Sequence, residues 1–581
     1  MDLFQFLNLI GGLSLFLFGM NVMGQALERR AGGSLRTLLG KMTTNKVAGL
    51  LTGLAVTAVI QSSSATTVMV VGFVNSSLMT LRQAINMIMG ANIGTTVTAW
   101  ILSLAGISSS NFFVRLLKPS SFTPVLAFVG IIYYMFSKND KKRDTGMILL
   151  GFATLMFGME SMSAAVSGLR DVPGFQNLFI MFQNPVLGVL AGAVLTAIIQ
   201  SSSASVGILQ ALAVTGQVSY GAAIPIIMGQ NIGTCVTAMI SAIGANKNAK
   251  RAAMVHLSFN VIGTAVWLTV FCLLKLIFAP ALLNESASLL GIAVAHSVFN
   301  VLCTVLMLPM SSLLEKLVCA IVPDDKKPEV FSELDERLLT TPPVALERCR
   351  KVAADMANCA VGAMKQSITA LTDYTPALAK QVRQAEEQTD HYEDILGTYL
   401  VKLSTRRISA SDSNEAAKLL KIIGDFERIS DHAVNIVQSA EELGSKELAL
   451  SPQASKELSI LARAVSEILD LSLDAFLRDD LGPAGLVEPL EQVIDGLKEQ
   501  LRTAHILRLQ QEKCSIEAGF VWSDLLTALE RVSDHCSNIA GCVMDMHEGN
   551  LNLHESLRAM KEDREKFEDR YLAYRKKYSV E

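Results

Sequence analysis

Two short segments place four polar side chains next to one another inside strongly apolar stretches, within TAVIQSSSATT and TAIIQSSSASV. The eight residues are Gln61, Ser62, Ser63, Ser64, Gln200, Ser201, Ser202 and Ser203. An unpaired polar group in hydrocarbon costs several kcal/mol, so such runs persist only inside protein or against a watery cavity. Side-chain oxygens and freed carbonyls suit sodium ions, whereas freed N–H groups and hydroxyls suit an oxyanion. We therefore expect broken helices that hold a small anion beside sodium ions.

A second pair of polar segments, GANIGTT and GQNIGTC, interrupts two further apolar runs and adds to the candidate site. Its candidate residues are Asn92, Thr95, Asn231 and Thr234. The alternative for all of these positions is that small polar residues only allow helices to approach closely and to hydrogen-bond across the contact. The preservation of both motifs in two otherwise divergent copies favours binding.

Those copies form an internal repeat. Residues 52–99 align without a gap on residues 191–238, a constant shift of 139 positions, with about 20 of 48 residues identical. The same shift maps the FGM sequence at 18–20 onto FGM at 157–159. The repeat therefore spans at least two hundred residues.

Basic residues indicate how the two copies are oriented, because Lys and Arg accumulate in cytoplasmic loops. The first FGM helix runs into a loop with Arg29 and Arg36, whereas the second comes out of a loop with Lys138 and Lys142. One helix therefore runs towards the cytoplasm and its mate away from it. Inverted repeats with broken helices around a central site are typical of secondary transporters.

The composition differs between the two parts of the chain and predicts a membrane part and a soluble part. Half of its 581 residues are hydrophobic. Residues 1–320 contain 18 basic and 8 acidic residues, whereas residues 321–581 contain 32 basic and 46 acidic residues. The first part is typical of a membrane protein and the second of an acidic soluble domain. The apolar run 3–20 follows Asp2 rather than a basic residue, which predicts a retained transmembrane helix. Nine scattered cysteines indicate neither a disulfide framework nor a cysteine zinc site.

The QSSS and NIGT pairs together resemble the signature segments of the type II sodium/phosphate cotransporter family, in its bacterial branch, over about residues 1–310. The resemblance implies a multi-pass protein of the bacterial inner membrane. It also implies that the two QSSS segments form the centre for phosphate and sodium, with the four NIGT residues contributing.

Three other polar features of the membrane part have two interpretations each. Glu160 is either a functional ionisable group or an interfacial residue. The HxxFN sequences at His256 and Asn260 and at His296 and Asn300 place His and Asn on one helix face. Hydrogen bonding between helices is the favoured role for them, and lining of the transport path is the alternative.

The soluble part has long apolar stripes of helical period, for example Leu396, Tyr399, Leu400 and Leu403, and Ile422, Phe426, Ile429, Ala433 and Ile436. ERxSDHxxN occurs twice, 103 residues apart, and paired ExxxD sequences put two carboxylates on one helix face. The candidate metal ligands are Glu386, Asp390, Glu427, Asp431, Glu491, Asp495, Glu530 and Asp534. The alternative is that His432, Asn435 and the neighbouring charges form only polar contacts between helices.

Residues 345–550 resemble the two three-helix repeats of the PhoU family of phosphate-signalling regulators. The resemblance implies that the eight carboxylates bind a divalent metal or an iron- or zinc-type cluster. It implies a cytoplasmic regulatory domain, with phosphate-signalling proteins and a second copy of the chain as conceivable partners. Nucleic acid is not among the expected partners.

The sequence thus predicts an all-α protein with a membrane transporter part and a helical-bundle part. The expected domains are repeat 1 at 1–145, repeat 2 and following helices at 146–320, a linker at 321–343, a PhoU-like domain at 344–552 and a charged helical tail at 553–581. The expected function is sodium-dependent phosphate transport. No nucleotide-binding loop, catalytic triad or HExxH is present, so we expect no enzyme. The alternatives are a phosphate exporter gated by the soluble domain and a phosphate sensor that does not transport.

Overall fold

The computed structural model describes residues 3–40, 45–76, 78–106, 118–167, 172, 181–278, 280–323, 334–406, 408–548 and 564–580, with the backbone alone for 31–40, 548 and 564–566. Within these ranges every extended regular element is a helix. The chain divides into two compact units, residues 1–344 and 345–581. The predicted all-α class is confirmed.

The first unit contains twelve described α-helices and two short 3-10 helices that matter here, Ala281–Asn284 and Glu336–Thr340. The α-helices are α1 (Leu3–Gly40), α2 (Lys46–Ile60), α3 (Ser63–Asn75), α4 (Leu81–Ser103), α5 (Pro119–Phe136), α6 (Asp140–Ser167), α7 (Pro185–Ile199), α8 (Ser202–Ala213), α9 (Tyr220–Ser241), α10 (Lys247–Ile277), α11 (Leu289–Met307) and α12 (Ser311–Ile321). Helices α2, α3 and α4 have α7, α8 and α9 as their mates at the predicted shift of 139 residues.

Seven of the described segments are long and apolar enough to cross a membrane. Four shorter apolar helices, α2, α3, α7 and α8, form two pairs, and each pair is interrupted at a QSSS segment. The predicted broken helices are therefore present in both repeats. The chain is a membrane protein.

Helices α1 and α6 show that the repeats are inverted. They are mates in the repeat, and they pack directly against each other. Gly12 lies against Met162, and Met23 lies against Gly151. Residue numbers rise along α1 while they fall along α6, so the two mates lie antiparallel, which is what an inversion requires.

The second unit is a bundle of two three-helix repeats and a final helix. Its helices are α13 (Pro342–Ala370), α14 (Pro376–Ser404), α15 (Ala410–Ser445), α16 (Pro452–Arg478), α17 (Leu481–Gln510), α18 (Ile516–Glu548) and α19 (Arg564–Lys577). The two predicted apolar stripes are buried to at least 96% at every position. Burial of a large aliphatic side chain contributes about 1.5–3 kcal/mol, so these stripes hold the bundle together.

Carboxylate-bearing helices lie next to each other in this bundle. Helix α14 packs on α15, and α17 packs on α18. Each pair carries two ExxxD sequences, one per helix, so the fold positions the predicted carboxylates on facing surfaces. The tail helix α19 is anchored by Arg570, whose guanidinium donates to the Gly485 carbonyl at 2.7 Å.

Candidate functional site

Both QSSS segments begin with a glutamine in a backbone conformation that L-residues avoid. Gln61 has φ 58° and Gln200 has φ 57°, both in the left-handed region. Such a conformation in a residue other than glycine costs about 1–3 kcal/mol and persists only where the surroundings impose it. The same strain at repeat mates marks these two positions as built features, where one helix ends and the next begins in a new direction.

The following serine caps the new helix in each repeat. The Ser62 hydroxyl accepts from the Ala65 N–H at 3.2 Å, and the Ser201 hydroxyl accepts from the Ala204 N–H at 3.2 Å. Capping engages one of the N–H groups that a helix start leaves without an intrahelical partner. The remaining N–H groups and the positive ends of α3 and α8 stay available for an anion.

The two segments line one cavity of about 280 Å³. Its wall consists of Met20, Asn21, Gly24, Gln25, Glu28, Ile60, Gln61, Ser62, Ser63, Ser64, Ala65, Gln200, Ser201, Ser202, Ser203 and Thr340. All eight predicted QSSS residues are therefore brought together. The repeats also touch here, because the Ser64 hydroxyl donates to the Gln200 carbonyl at 3.4 Å.

A short hydrogen-bond chain connects the two repeats beside this cavity. The Thr98 hydroxyl on α4 donates to Gln61 Oε1 at 3.0 Å, and the Ser203 hydroxyl donates to Thr98 Oγ1 at 3.3 Å. The Gln61 amide also donates to the carbonyl of Ala58. Movement of one QSSS segment therefore affects the other through buried polar contacts.

The four NIGT residues lie outside the cavity wall. Thr95, Asn231 and Thr234 donate to carbonyls of their own helices at 2.9–3.0 Å. Asn92 instead contacts His256 across the helix contact, with Oδ1 3.2 Å from Nε2. The structure does not bring these residues to the QSSS residues, and their direct contact with a ligand stays a prediction.

The glycines of the NIGT segments explain part of their composition. A Cβ atom at Gly94 would lie 2.6 Å from the Leu54 carbonyl oxygen, and one at Gly233 would lie 2.4 Å from that of Ala193. Both distances are too short for any real side chain. The segments therefore press α4 onto α2 and α9 onto α7, which fixes the helices that end at Gln61 and Gln200.

Sequence reasoning missed the part of the wall that comes from α1. Asn21, Gln25 and Glu28 face the cavity from one side of this helix. The available signal was an acidic residue close to the end of an apolar span, which is a functional candidate by default. It was hidden by the adjacent Arg29 and Arg30, which look like the beginning of a cytoplasmic loop.

A segment expected to be part of a polar linker is packed onto the membrane unit. Residues 335–341, here called the strap, include the 3-10 helix Glu336–Thr340. Leu338 is fully buried and touches α3 near Gly72, and Thr340 lines the cavity. Residues 324–333 of the expected linker lie outside the described residues.

Charged groups of the strap hold the ends of two helices from different repeats. The Asn75 amide at the end of α3 donates to Asp335 Oδ2 at 2.6 Å. Arg337 pairs with the same carboxylate at 2.8 Å and donates from Nε to the Ser241 carbonyl at the end of α9 at 2.5 Å. Asn75 Oδ1 also accepts from the Asn246 N–H at 2.8 Å. The strap therefore joins α3 of repeat 1 to α9 of repeat 2.

The remaining polar features of the membrane unit lie away from the cavity. His256 makes the favoured interhelical contact with Asn92. His296 is also buried, but neither ring nitrogen has a partner among the described residues. Glu160 is exposed and does not line the cavity.

In the second unit, three of the four carboxylates of the first set form a compact group. Oxygens of Glu386, Asp390 and Asp431 lie within 4.8 Å of one another. Burial, then the neighbouring carboxylates, raises the pKa of Glu386, and the same causes raise the pKa of Asp390. Burial and Asp431 raise the pKa of Glu427 to about 6. All-oxygen groups of this kind suit hard divalent cations.

The second carboxylate set lies on α17 and α18, and a lysine of α17 pairs with one of its carboxylates. The Lys498 ammonium lies 2.8 Å from Glu530 Oε1. Burial and then Glu530 raise the pKa of Asp495, and burial and then Glu530 and Asp495 raise the pKa of Asp534. Among the described residues this set, with Glu491, forms no triad of oxygens as close as the first. Metal binding by these four carboxylates stays a prediction.

Comparison with known families matches both units. Residues 15–164 and 174–297 match the family described as Na+/Pi-cotransporter. Residues 353–440 and 458–543 match the PhoU domain. The two stretches that match the PhoU domain coincide with the two three-helix repeats of the second unit.

Known relatives match most of the chain or one of its parts. YjbB of Salmonella typhimurium, provisionally named for inorganic phosphate export, is 25% identical over 551 residues, which are 93% of this chain and 97% of YjbB. YqeW of Bacillus subtilis, which is uncharacterized, is 30% identical over 309 residues, 53% of this chain and 95% of YqeW. The crystal structure of PhoU from Pseudomonas aeruginosa has 27% identity and a TM-score of 0.33, covering 35% of this chain and 97% of PhoU.

Proposed function

Because the chain belongs to the Na+/Pi-cotransporter family and carries a PhoU domain behind its membrane part, we propose that it is a sodium-coupled carrier of inorganic phosphate that works by alternating access. One observation carries the proposal. The two QSSS segments, mates in an inverted repeat, line a single cavity. Inverted repeats that share a central site between broken helices are the arrangement that alternating access uses.

Phosphate is held in this proposal by donors from both repeats. The first N–H groups of α3 and α8 and the hydroxyls of Ser63 and Ser202 face an oxyanion, and the positive helix ends favour its charge. Sodium ions take the complementary oxygen ligands, which are carbonyls at the breaks and neutral side-chain oxygens. Each half-site comes from a different repeat, so relative movement of the repeats opens and closes the site.

Sodium coupling follows from the charge of the substrate. Moving one negative charge into an inside-negative compartment costs about 2.3 kcal/mol per 100 mV. A phosphate dianion meets twice that barrier, so accumulation requires accompanying cations. Outward movement of phosphate is favoured by the same membrane potential and requires no accompanying cations.

Export is the second candidate function. The observation that favours it is the similarity to YjbB, provisionally named for phosphate export, over 93% of this chain. A sensor that binds phosphate without moving it is the third interpretation. Phosphate flux into and out of proteoliposomes of known protein orientation separates the three: inward accumulation supports the carrier, outward flux alone supports export, and binding without flux supports the sensor.

We place the membrane unit in the bacterial inner membrane and the second unit in the cytoplasm. The basic loops of the first unit support this orientation under the positive-inside rule. The second unit is regulatory in this account, and the strap is its route of action. The chain leads from the strap directly into α13, so a change in the second unit that pulls on α13 can loosen the strap and release the ends of α3 and α9.

The first carboxylate set is the proposed metal site of the second unit, and its binding should depend on pH. Because the pKa of Glu427 is raised to about 6 in the folded protein, the metal-free fold binds an additional proton between about pH 4.5 and pH 6. Its stability should therefore fall as the pH rises through this window. Metal needs the deprotonated carboxylates, so Mn²⁺ should raise the unfolding temperature by several degrees at pH 7 and scarcely at pH 4.5.

Tryptophan fluorescence of the full chain can follow the second unit alone. Trp522 is buried in it, and replacing Trp100 and Trp267 with phenylalanine leaves Trp522 as the only reporter. Glu427→Gln should weaken the Mn²⁺ effect at pH 7. Glu442→Gln, on the same helix but paired only with Lys446 at the surface, is the matched control. An equal Mn²⁺ effect in both variants would contradict the metal site.

A further inference from the structure

Glu28 is the only ionisable residue in the described wall of the QSSS cavity. The other wall residues are amides, hydroxyls, glycines and apolar side chains. The residue lies on α1, within the segment Leu3–Arg30 that is long and apolar enough to cross a membrane. Its repeat mate, 139 residues further on, is Ser167, so the acidic group breaks the symmetry of an otherwise duplicated site.

The carboxylate of Glu28 forms no ion pair with another described residue, although the neighbouring Arg29 attracts it electrostatically. Its Oε1 atom is buried and has no hydrogen-bond partner among the described residues. The adjacent guanidinium of Arg29 is committed elsewhere, since its Nε lies 2.8 Å from Asp144 Oδ1. Partial burial of a carboxylate that lacks an ion pair is unfavourable. A cation bound beside Glu28 would offset this cost.

The ligands around Glu28 identify the kind of cation. Asn21, Gln25 and the serine hydroxyls offer neutral oxygens, and Asn21 Oδ1 already accepts from the Gln25 amide at 3.1 Å. Carboxylate, amide and hydroxyl oxygens are ligands for hard cations, and they outnumber the one soft ligand in the described wall, the thioether of Met20. Phosphate alone would be repelled by this carboxylate. A bound cation would remove that repulsion, so the cation and the anion would favour each other's binding.

We propose that Glu28 is the charged ligand of a sodium site in the QSSS cavity. This inference rests on the proposed sodium-coupled transport. It adds a specific residue on α1, outside both repeated motifs. The carboxylate neutralises one sodium charge, so removing it should change the charge that accompanies each phosphate.

Glu28→Gln tests the assignment because glutamine keeps the size of the side chain and removes its charge. In proteoliposomes, the sodium concentration for half-maximal phosphate flux should rise at least tenfold. The maximal flux at saturating sodium should change less than the sodium requirement does. The charge moved per phosphate should also change. Glu28→Asp should retain a sodium requirement closer to the unchanged protein.

A second readout does not depend on transport. Sodium should raise the unfolding temperature of the detergent-solubilised full chain more than potassium does, and Glu28→Gln should abolish the difference. Glu160→Gln is the matched control, because Glu160 lies on α6 away from the cavity wall. It should behave as the unchanged protein in both assays.

The outcomes separate this inference from the proposed function. If the unchanged protein shows no sodium effect on flux or stability, sodium coupling itself fails and the Glu28 site fails with it. If the unchanged protein depends on sodium and Glu28→Gln is indistinguishable from it in both assays, only the Glu28 assignment is overturned. A shifted sodium requirement in Glu28→Gln, with Glu160→Gln unaffected, supports it.

Discussion

Replacing Ser63 or Ser202 with alanine is expected to lower phosphate flux at least tenfold while the protein still folds and enters the membrane. The two residues are repeat mates, and both line the cavity. Their hydroxyls are not used for capping, which Ser62 and Ser201 perform. A hydrogen bond to a charged partner contributes about 1.5–3 kcal/mol, and 1.4 kcal/mol corresponds to a factor of ten. The double variant should lose transport almost completely.

Ser103→Ala is the matched control for this pair. Ser103 is also buried in the membrane unit, but its hydroxyl donates only to the Trp100 carbonyl of the same helix at 2.7 Å. Flux should stay within about twofold of the unchanged protein, since this local bond contributes only about 0.5–1.5 kcal/mol to stability and does not involve the ligand. Unchanged transport in Ser63→Ala and Ser202→Ala would contradict the placement of phosphate between the QSSS segments.

Replacing Asp335 with alanine is expected to raise phosphate flux about fivefold. The carboxylate joins Asn75 of repeat 1 to Arg337, whose guanidinium holds the Ser241 carbonyl of repeat 2. Alternating access needs the repeats to move against each other, and the strap opposes that movement. Loss of charge-assisted bonds worth about 1.5–3 kcal/mol each is enough to shift such an equilibrium by this factor.

The control for the strap is Asp140→Ala, which removes an exposed carboxylate at the start of α6. Flux at saturating phosphate and the concentration for half-maximal flux should be measured separately. We expect the Asp335 variant to change the maximal rate more than the half-maximal concentration, because the strap restrains movement rather than ligand contacts. A folded Asp335→Ala protein with unchanged or lower flux would show that the strap only stabilises the fold.

The repeat explains how far the sequence could predict the site. A duplicated QSSS inside two apolar runs is visible without any tertiary information, and a serine after a polar break is a recognisable helix cap. A break between two helices requires an unusual backbone conformation, and the structure has it at Gln61 and Gln200. The sequence does not predict these exact positions, because glutamine is not a typical residue for the left-handed region. Local pattern thus predicted the break, and symmetry predicted that the two breaks meet.

The parts that sequence reasoning could not predict depend on distant contacts. Asp335 reaches Asn75 across 260 positions, and nothing in a polar segment that ends with Pro342 and Pro343 indicates such docking. The NIGT residues were expected at the site, but the structure places them outside the cavity wall. A buried Thr95 or Asn231 can satisfy its polar atoms within its own helix, so an intramembrane polar residue does not have to face a ligand. Only the packing of α4 and α9 shows whether such a residue faces the cavity or bonds within its own helix.

The metal prediction illustrates the same limit in the second unit. The ExxxD spacing placed carboxylates on facing helices, and three of the first set lie close together. In the second set a lysine three positions after Asp495 takes one carboxylate oxygen of Glu530. Lys498 was visible in the sequence, but the helix contact that directs its ammonium towards Glu530 was not.

Phosphate flux in proteoliposomes under a sodium gradient tests the central claim most directly. Phosphate flux through the purified protein should be measured under an inward sodium gradient and under an inward potassium gradient, at the same membrane potential. The account predicts phosphate accumulation with sodium, and little or none with potassium or with the Ser63→Ala, Ser202→Ala double variant. Equal flux with the two cations, or no flux with phosphate still bound, would contradict a sodium-coupled carrier.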